Sequence, residues 1–319
     1  MIRGRLAPSP TGALHLGNAR TFLLGWLSVR TQGGTVVLRI EDLDGPRVKQ
    51  GATAAAMEDL RWLGLDWDEG PDCGGPHGPY MQTERTALYE TGIENLRAQG
   101  LLYPCVCTRG DIERAASAPH PGEEGPRYPG TCRDKFVSVA AALAVAGRSP
   151  ALRFRVPAGP VRFDDLNHGT LTIEVDERVG DFVVRKGNGT AAYQLAVVVD
   201  DAAMDITEVV RGDDLLASTS RQVLLYQALG FTPPTFRHVP QVVGPDGLRL
   251  AKRHGDTRIV TFRQQGVAPD RLVGLLAHWC GLAPQGREQM PSDLVGGFDW
   301  ELVPRERIVW RGELGCASY

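Results

Sequence analysis

The sequence predicts an α/β protein built on a doubly wound parallel sheet. Three observations carry this. The first 63 residues alternate strand, helix, strand and helix patterns, the order that generates parallel sheets. The run Tyr193–Asp200 is almost continuously apolar and ends in acid, as a buried parallel strand does. The chain has 319 residues, 42% of them hydrophobic, enough core for one large domain or two modest ones.

The elements follow in order. Residues 3–7 read as a short first strand. Pro8-Ser9-Pro10-Thr11-Gly12 breaks it, because two prolines lack donors and restrict their neighbours. Phe22, Leu23, Trp26 and Leu27 then recur at helical spacing until Gly33-Gly34. Thr35–Ile40 is an apolar strand with Glu41 and Asp42 at its end, and helices are expected at Ala52–Leu63 and Thr83–Gln99. Residues 105–135 contain Pro119, Pro121, Pro126 and Pro129 and read as an irregular insertion. A short helix is expected at Val137–Val145, mostly strand from Ala151 to Val184, a strand at Ile206–Arg211 and a helix at Ser218–Leu229. Residues 240–319 offer a charged loop and a helix at Pro269–Trp279.

Charge and composition narrow the function. Lys+Arg 35 against Asp+Glu 38 gives −3, so any nucleic-acid contact has to be a local patch. The basic surplus after residue 250 (Arg253, Arg258, Arg263, Arg271, Arg287) is one candidate, and the insertion is another. No apolar run approaches the roughly 18–20 residues of a membrane span, and Met1-Ile2-Arg3-Gly4-Arg5 lacks a signal-peptide core. A cytoplasmic protein with no membrane partner is expected. There, disulfides are disfavoured. Cys105, Cys107 and Cys132 fall close together, and clustering with C-x-C spacing points to metal. Cys73, Cys280 and Cys316 read as incidental.

Two motifs carry chemistry. Leu14-His15-Leu16-Gly17-Asn18 lies between a strand and a helix N-terminus, where backbone N–H groups and the helix dipole favour an anion. Gly17 permits close approach to the backbone, and His15 and Asn18 can donate to phosphate oxygens. Arg249-Leu250-Ala251-Lys252-Arg253-His254-Gly255 follows the turn Gly244–Gly247 and is a basic loop able to close on a triphosphate.

Together the two motifs resemble the HIGH box and KMSKS loop of class I aminoacyl-tRNA synthetases. The segments Arg5-Leu6-Ala7-Pro8-Ser9, Leu38-Arg39-Ile40-Glu41-Asp42 and Arg211-Gly212-Asp213-Asp214 are similar to the glutamyl branch. The resemblance runs from residue 3 to about residue 280 and implies a Rossmann-type sheet split by an insertion. Two positions depart from the pattern: Arg249 replaces Lys, and Ala251 stands where Ser is usual. Arg keeps the charge but not the compact ammonium. Lys252 is retained at the position that meets ATP.

Only residues 254–319 follow Arg253, too few for a helical anticodon-binding region of typical size. The chain therefore resembles the shortened glutamyl-Q tRNA(Asp) synthetase family. Such enzymes activate L-glutamate with ATP without tRNA, then transfer it to the queuosine base in the anticodon of tRNA(Asp). The expected organisation is residues 1–104 and 181–240 as the two Rossmann halves, 105–180 as the insertion with a zinc site, and 241–319 as the KMSKS-type loop and a mostly helical end. The resemblance implies zinc ligands Cys105, Cys107, Tyr128 and Cys132; the residues alone equally allow His120 or water as the fourth. It further implies that Arg5, Ser9, Glu41, Tyr193 and Arg211 bind glutamate. His15, Gly17, Asn18 and Lys252 would bind ATP with Mg²⁺, and His15, Asn18 and Lys252 would act on the phosphorus. A monomer is expected. Two alternatives stand beside this: a truncated glutamyl-tRNA synthetase charging tRNA(Glu), and a non-catalytic zinc-containing RNA-binding paralogue.

Overall fold

The computed structural model describes residues 1–43, 45, 48–115, 126–250 and 254–312. His120, Ala251, Lys252, Arg253 and Cys316 lie outside them. The elements in chain order begin with β1 (Arg3–Leu6), α1 (Leu16–Thr31), β2 (Thr35–Leu38), α2 (Ala52–Trp62) and α3 (Thr86–Ala98). Then come β3 (Leu102–Cys105), α4 (Arg109–Ala115), α5 (Val139–Ala146), β4 (Ala151–Phe154), β5 (Val161–Asp165), β6 (Gly169–Ile173), α6 (Val175–Arg178) and β7 (Phe182–Arg185). The chain continues with α7 (Tyr193–Ala203), β8 (Glu208–Gly212), α8 (Leu216–Leu229), β9 (Thr235–Val239) and β10 (Val242–Val243). It ends with α9 (Ile259–Gln264), α10 (Pro269–Trp279), α11 (Pro291–Leu294) and β11 (Ile308–Val309).

The predicted parallel α/β architecture is present. β1 pairs with β2 in parallel, and β8 with β9. β1 lies beside β8, tied to it by Thr207 N–H donating to Arg3 O at 2.9 Å. The close approach of α1 to β1 requires Gly4, because a Cβ there would stand 2.4 Å from Val29 Cγ2. β5 joins β9 in parallel and carries β6 antiparallel on its far side. A separate antiparallel sheet, in the order β3-β4-β7, belongs to the middle of the chain. Two large cores result. One packs α1, β2, α2 and α10 together; the other lies among α3, α7, α8 and the middle strands.

One element differs from expectation. Tyr193–Asp200 belongs to the helix α7, not to a strand. Leu195 through Asp201 are all buried, so the run shows no amphipathic period that would mark a helix. Its three valines also favour strand. Helicity has a consequence. Neighbouring strand residues point to opposite faces, whereas on the helix Asp200 and Asp201 both reach buried arginines.

Candidate active site

His15 is the N-cap of α1, and its Nδ1 accepts from the backbone N–H groups of Gly17 (3.2 Å) and Asn18 (3.4 Å). The N–H groups expected to cradle an anion therefore face the imidazole. The ring proton sits on Nε2, free to donate outward. Burial, with the charge of Arg249 adding to it, holds His15 below its ordinary value, so the ring is neutral near pH 7. Gly17 suits this packing: a Cβ there would crowd the ring, meeting His15 Cε1 at 3.1 Å.

The segment that follows the second motif folds back onto the first. Leu16 N–H donates to Thr257 O at 3.0 Å, and Ile259 N–H to Leu14 O at 2.9 Å. A cleft of about 840 Å³ opens there, lined by Gly12, His15, Lys49, Gly255, Thr257 and Arg258. Arg249 pairs with Asp214 at 2.9 Å. Of the arginines expected to form a basic surface, Arg258 is bound to Asp256, and Arg263 to Glu58.

A smaller cavity of about 340 Å³ lies beside β2 and α7, lined by Ser9, Thr11, Glu41, Gln82, Lys186 and Tyr193. Beneath it is a buried charge network that the sequence did not reveal. Arg39 is fully buried and binds Asp201 (2.6 Å) and Glu41 (3.1 Å). Arg5 Nε lies 3.5 Å from Asp201. Asp200 takes Arg85 at 2.6 Å and also accepts from Gln82 and Tyr89. Burial pushes the Glu41 carboxyl up, with Arg39 and Arg5 opposing incompletely. At Asp201 burial also pushes up, but Arg39 and Arg5 outweigh it and hold the carboxyl below its ordinary value. The Tyr193 hydroxyl is pushed up to about 12 by burial and by the charge of Glu41, and it stays protonated. A signal for this network was available: Arg39 stands inside an apolar strand and Asp200-Asp201 ends an apolar run, and buried charges come paired.

Arg211, on β8, is also buried. Its partners are neutral: Thr219 (2.8 Å), Gln222 (2.7 Å) and His238 (3.0 Å). Nη1 is buried with no hydrogen-bond partner. Its charge and that of Arg5 both reach the Tyr193 hydroxyl. Ser9, Glu41 and Tyr193 thus line one cavity, and the charges of Arg5 and Arg211 reach it at Tyr193.

The cysteine cluster is a separate constellation. The sulfurs of Cys105, Cys107 and Cys132 lie within 4.8 Å of one another. Tyr128 Oη is 3.4 Å from Cys105 Sγ and 3.8 Å from Cys107 Sγ. A tetrahedral ion with Zn–S near 2.3 Å sets its donors roughly 3.8 Å apart, so this donor set fits zinc. Arg153 supports it, with Nε donating to Cys105 Sγ at 3.2 Å and the guanidinium stacked on the Tyr128 ring at 3.6 Å. Gly180 admits Tyr128: its φ is +70°, and a Cβ would stand 2.5 Å from Tyr128 O.

A parallel sheet whose first helix is capped by a histidine, with the segment after a basic loop folded back on that cap, is the frame of a nucleotide-activating ligase. Residues 1–293 match the family described as "tRNA synthetases class I (E and Q), catalytic domain", and the chain belongs to it. A glutamyl-Q tRNA(Asp) synthetase of Symbiobacterium thermophilum is 51% identical over 97% of this chain and 95% of its own length. The protein of that name from Nitratidesulfovibrio vulgaris is 48% identical over the same shares. Glutamate--tRNA ligase 2 of Syntrophus aciditrophicus is 46% identical over 98% of this chain but only 66% of its own. A glutamate tRNA ligase from Elizabethkingia meningosepticum, solved with its amino acid, aligns with a TM-score of 0.82 at 28% identity. That alignment covers 98% of this chain and 67% of the other. Among the described residues no helix is long and apolar enough to cross a membrane.

Proposed function

We propose that the chain activates L-glutamate with ATP in the absence of tRNA and transfers it to the queuosine base in the anticodon of tRNA(Asp). One observation carries the amino-acid reading: Arg211 is a buried cation hydrogen-bonded only to neutral groups, with one nitrogen unbonded. Such a charge calls for an anion, and a guanidinium fork suits a carboxylate. The charge of Arg5 reaches the cavity at Glu41 and Tyr193, and Glu41 offers the opposite charge for the ammonium of the substrate. The queuosine step is supported by the two relatives of that name, which this chain matches over nearly its whole length.

In the first step a carboxylate oxygen of glutamate attacks the α-phosphorus of ATP, and the bond to the bridging oxygen breaks to release pyrophosphate. His15 Nε2–H, Asn18 and Lys252 donate to the phosphate oxygens as charge builds there, and Gly17 keeps the His15 ring seated. Mg²⁺, when bound, neutralises phosphate charge. In the second step a hydroxyl of the queuosine cyclopentene attacks the adenylate carbonyl and AMP leaves. The unpaired bases of an anticodon loop can be splayed to reach such a cleft. Cys105, Cys107, Tyr128 and Cys132 would hold one Zn²⁺, whose role there is to staple a loop with little core of its own. The cytoplasm, where thiols stay reduced, suits that site, and the active chain is read as a monomer.

Labelled glutamate offered with each purified tRNA tests the reading. Label on queuosine-containing tRNA(Asp), independent of its 3′ end, is expected. Label on tRNA(Glu) alone would establish 3′ charging instead, the reading favoured by the 46% identity to a glutamate--tRNA ligase. Failure of glutamate-dependent pyrophosphate exchange would leave the non-catalytic RNA-binding reading.

A further inference from the structure

Three neighbouring strands set Asp165, His238 and Arg211 in a row. β8 and β9 pair with Arg211 opposite His238, and β5 meets β9 with Asp165 opposite Phe236. All three side chains are buried, His238 completely. His238 Nε2 lies 3.0 Å from Arg211 Nε, and His238 Nδ1 lies 2.6 Å from Asp165 Oδ2. A guanidinium can only donate, so Nε2 accepts from Arg211. The ring proton therefore sits on Nδ1 and is donated to Asp165.

Asp165 is committed to this arrangement. Its Oδ1 accepts from the backbone N–H groups of Asn167 (2.9 Å) and His168 (3.0 Å). Its Oδ2 accepts from the backbone N–H of His238 (3.1 Å) as well as from the ring. On the other side, Arg211 Nη2 donates to Thr219 and Gln222. Acceptors thus fix Nε and Nη2 and leave Nη1 unbonded.

We infer that the Asp165–His238 pair is a positioning dyad that aims Arg211 Nη1 at the substrate carboxylate and so sets the affinity for glutamate. This rests on the reading of Arg211 as a glutamate ligand. The chemistry explains why the neighbour is histidine. A carboxylate in its place would orient the guanidinium but cancel the charge the substrate needs. A neutral imidazole orients it and leaves that charge unspent. Burial, with the charge of Arg211 adding to it and Asp165 opposing, pushes the His238 ring down to about 4, so it stays neutral at working pH. Through Asp165, the β5–β6 hairpin of the middle segment supports the glutamate cavity.

Pyrophosphate exchange by the full chain tests this. His238→Phe should raise the glutamate KM ~10–100-fold, the scale of a misplaced positioning group, and leave the KM for ATP within about twofold. His238→Gln, whose carbonyl can take the Arg211 Nε–H, should fall within about threefold of the parent. A glutamate KM unchanged in His238→Phe, or an ATP KM that rises equally, overturns the inference. Arg211→Lys separates the two readings: if it leaves the glutamate KM unchanged, the glutamate-ligand reading itself fails. Should His238→Phe not fold, ¹⁵N-histidine spectra of the parent chain serve. A neutral Nδ1–H tautomer whose Nε2 resonance moves on saturation with glutamate is expected. An imidazolium, an Nε2–H tautomer or no response to glutamate at pH 7 overturns it.

Discussion

Arg39 and Asp201 share a 2.6 Å hydrogen bond between side chains with almost no solvent exposure. The pair links the residue just after β2 to α7, and Arg39 also holds Glu41 at the cavity. Breaking one partner of a buried pair leaves an uncompensated charge, at a cost of about 3–5 kcal/mol. Asp201→Asn should therefore lower the denaturant midpoint by that equivalent, with an unchanged m-value. A midpoint within the error of the parent would show that water or Asp200 takes over the charge.

The glutamate reading makes Arg211 the residue whose loss weakens amino-acid binding most selectively. Arg211→Gln should raise the glutamate KM in pyrophosphate exchange ~10–100-fold, the cost of losing a charge-assisted contact of about 1.5–3 kcal/mol. The KM for ATP should hardly move. Equal increases for both substrates would place Arg211 in the scaffold instead.

How far the sequence led is clearest at particular residues. The helix Pro269–Trp279 was legible to its ends, because proline at the first position and an apolar stripe mark it. The meeting of His15 with the segment after the basic loop was legible only through the order of motifs, since nothing local in either one encodes the other. The segment at Tyr193 misled because burial on every side erases period. The partners of Arg211 were invisible for another reason. Arg211, Gln222, His238 and the Asp165 behind it lie on different elements, and only strand register and helix packing bring them together.

Lys252 lies in the basic loop at the position the family resemblance assigns to ATP. Removing one transition-state donor costs on the order of 10²–10³ in rate. Lys252→Ala should lower glutamate-dependent pyrophosphate exchange by that factor, with the melting temperature unchanged. A near-parental exchange rate would remove Lys252 from the reaction.

The cysteine cluster predicts metal. Protein purified without chelator should carry close to one zinc per chain by elemental analysis, and Cys132→Ser should lose it. Less than about half a zinc per chain would count against the site, since three thiolates and a fourth donor bind Zn²⁺ tightly near neutral pH. Cys73, which is exposed and distant in sequence from the cluster, should be replaceable by Ser without loss of zinc.

Asp59 on α2 gives the pH prediction. Its side chain is 97% shielded, Oδ2 has no hydrogen-bond partner, and Arg263 stands 3.8 Å away. Burial pushes its carboxyl from an ordinary 3.8 up to about 6, with Arg263 opposing and Glu58 adding to the rise. The folded chain therefore holds this proton at pH values where the unfolded chain has released it. With ν_N above ν_U between about pH 4 and 6, stability falls as pH rises through that window. Asp59→Asn removes the titration and should stabilise the protein at pH 7.5 by on the order of 2 kcal/mol. The gain should shrink as the pH falls to 4 and vanish only below the ordinary carboxyl value, where Asp59 is protonated in both states. Melting curves of the two proteins from pH 4 to 8 decide it: a difference that stays constant, or that grows towards acid, would mean that Arg263 keeps Asp59 ionised and that burial does not control this carboxyl.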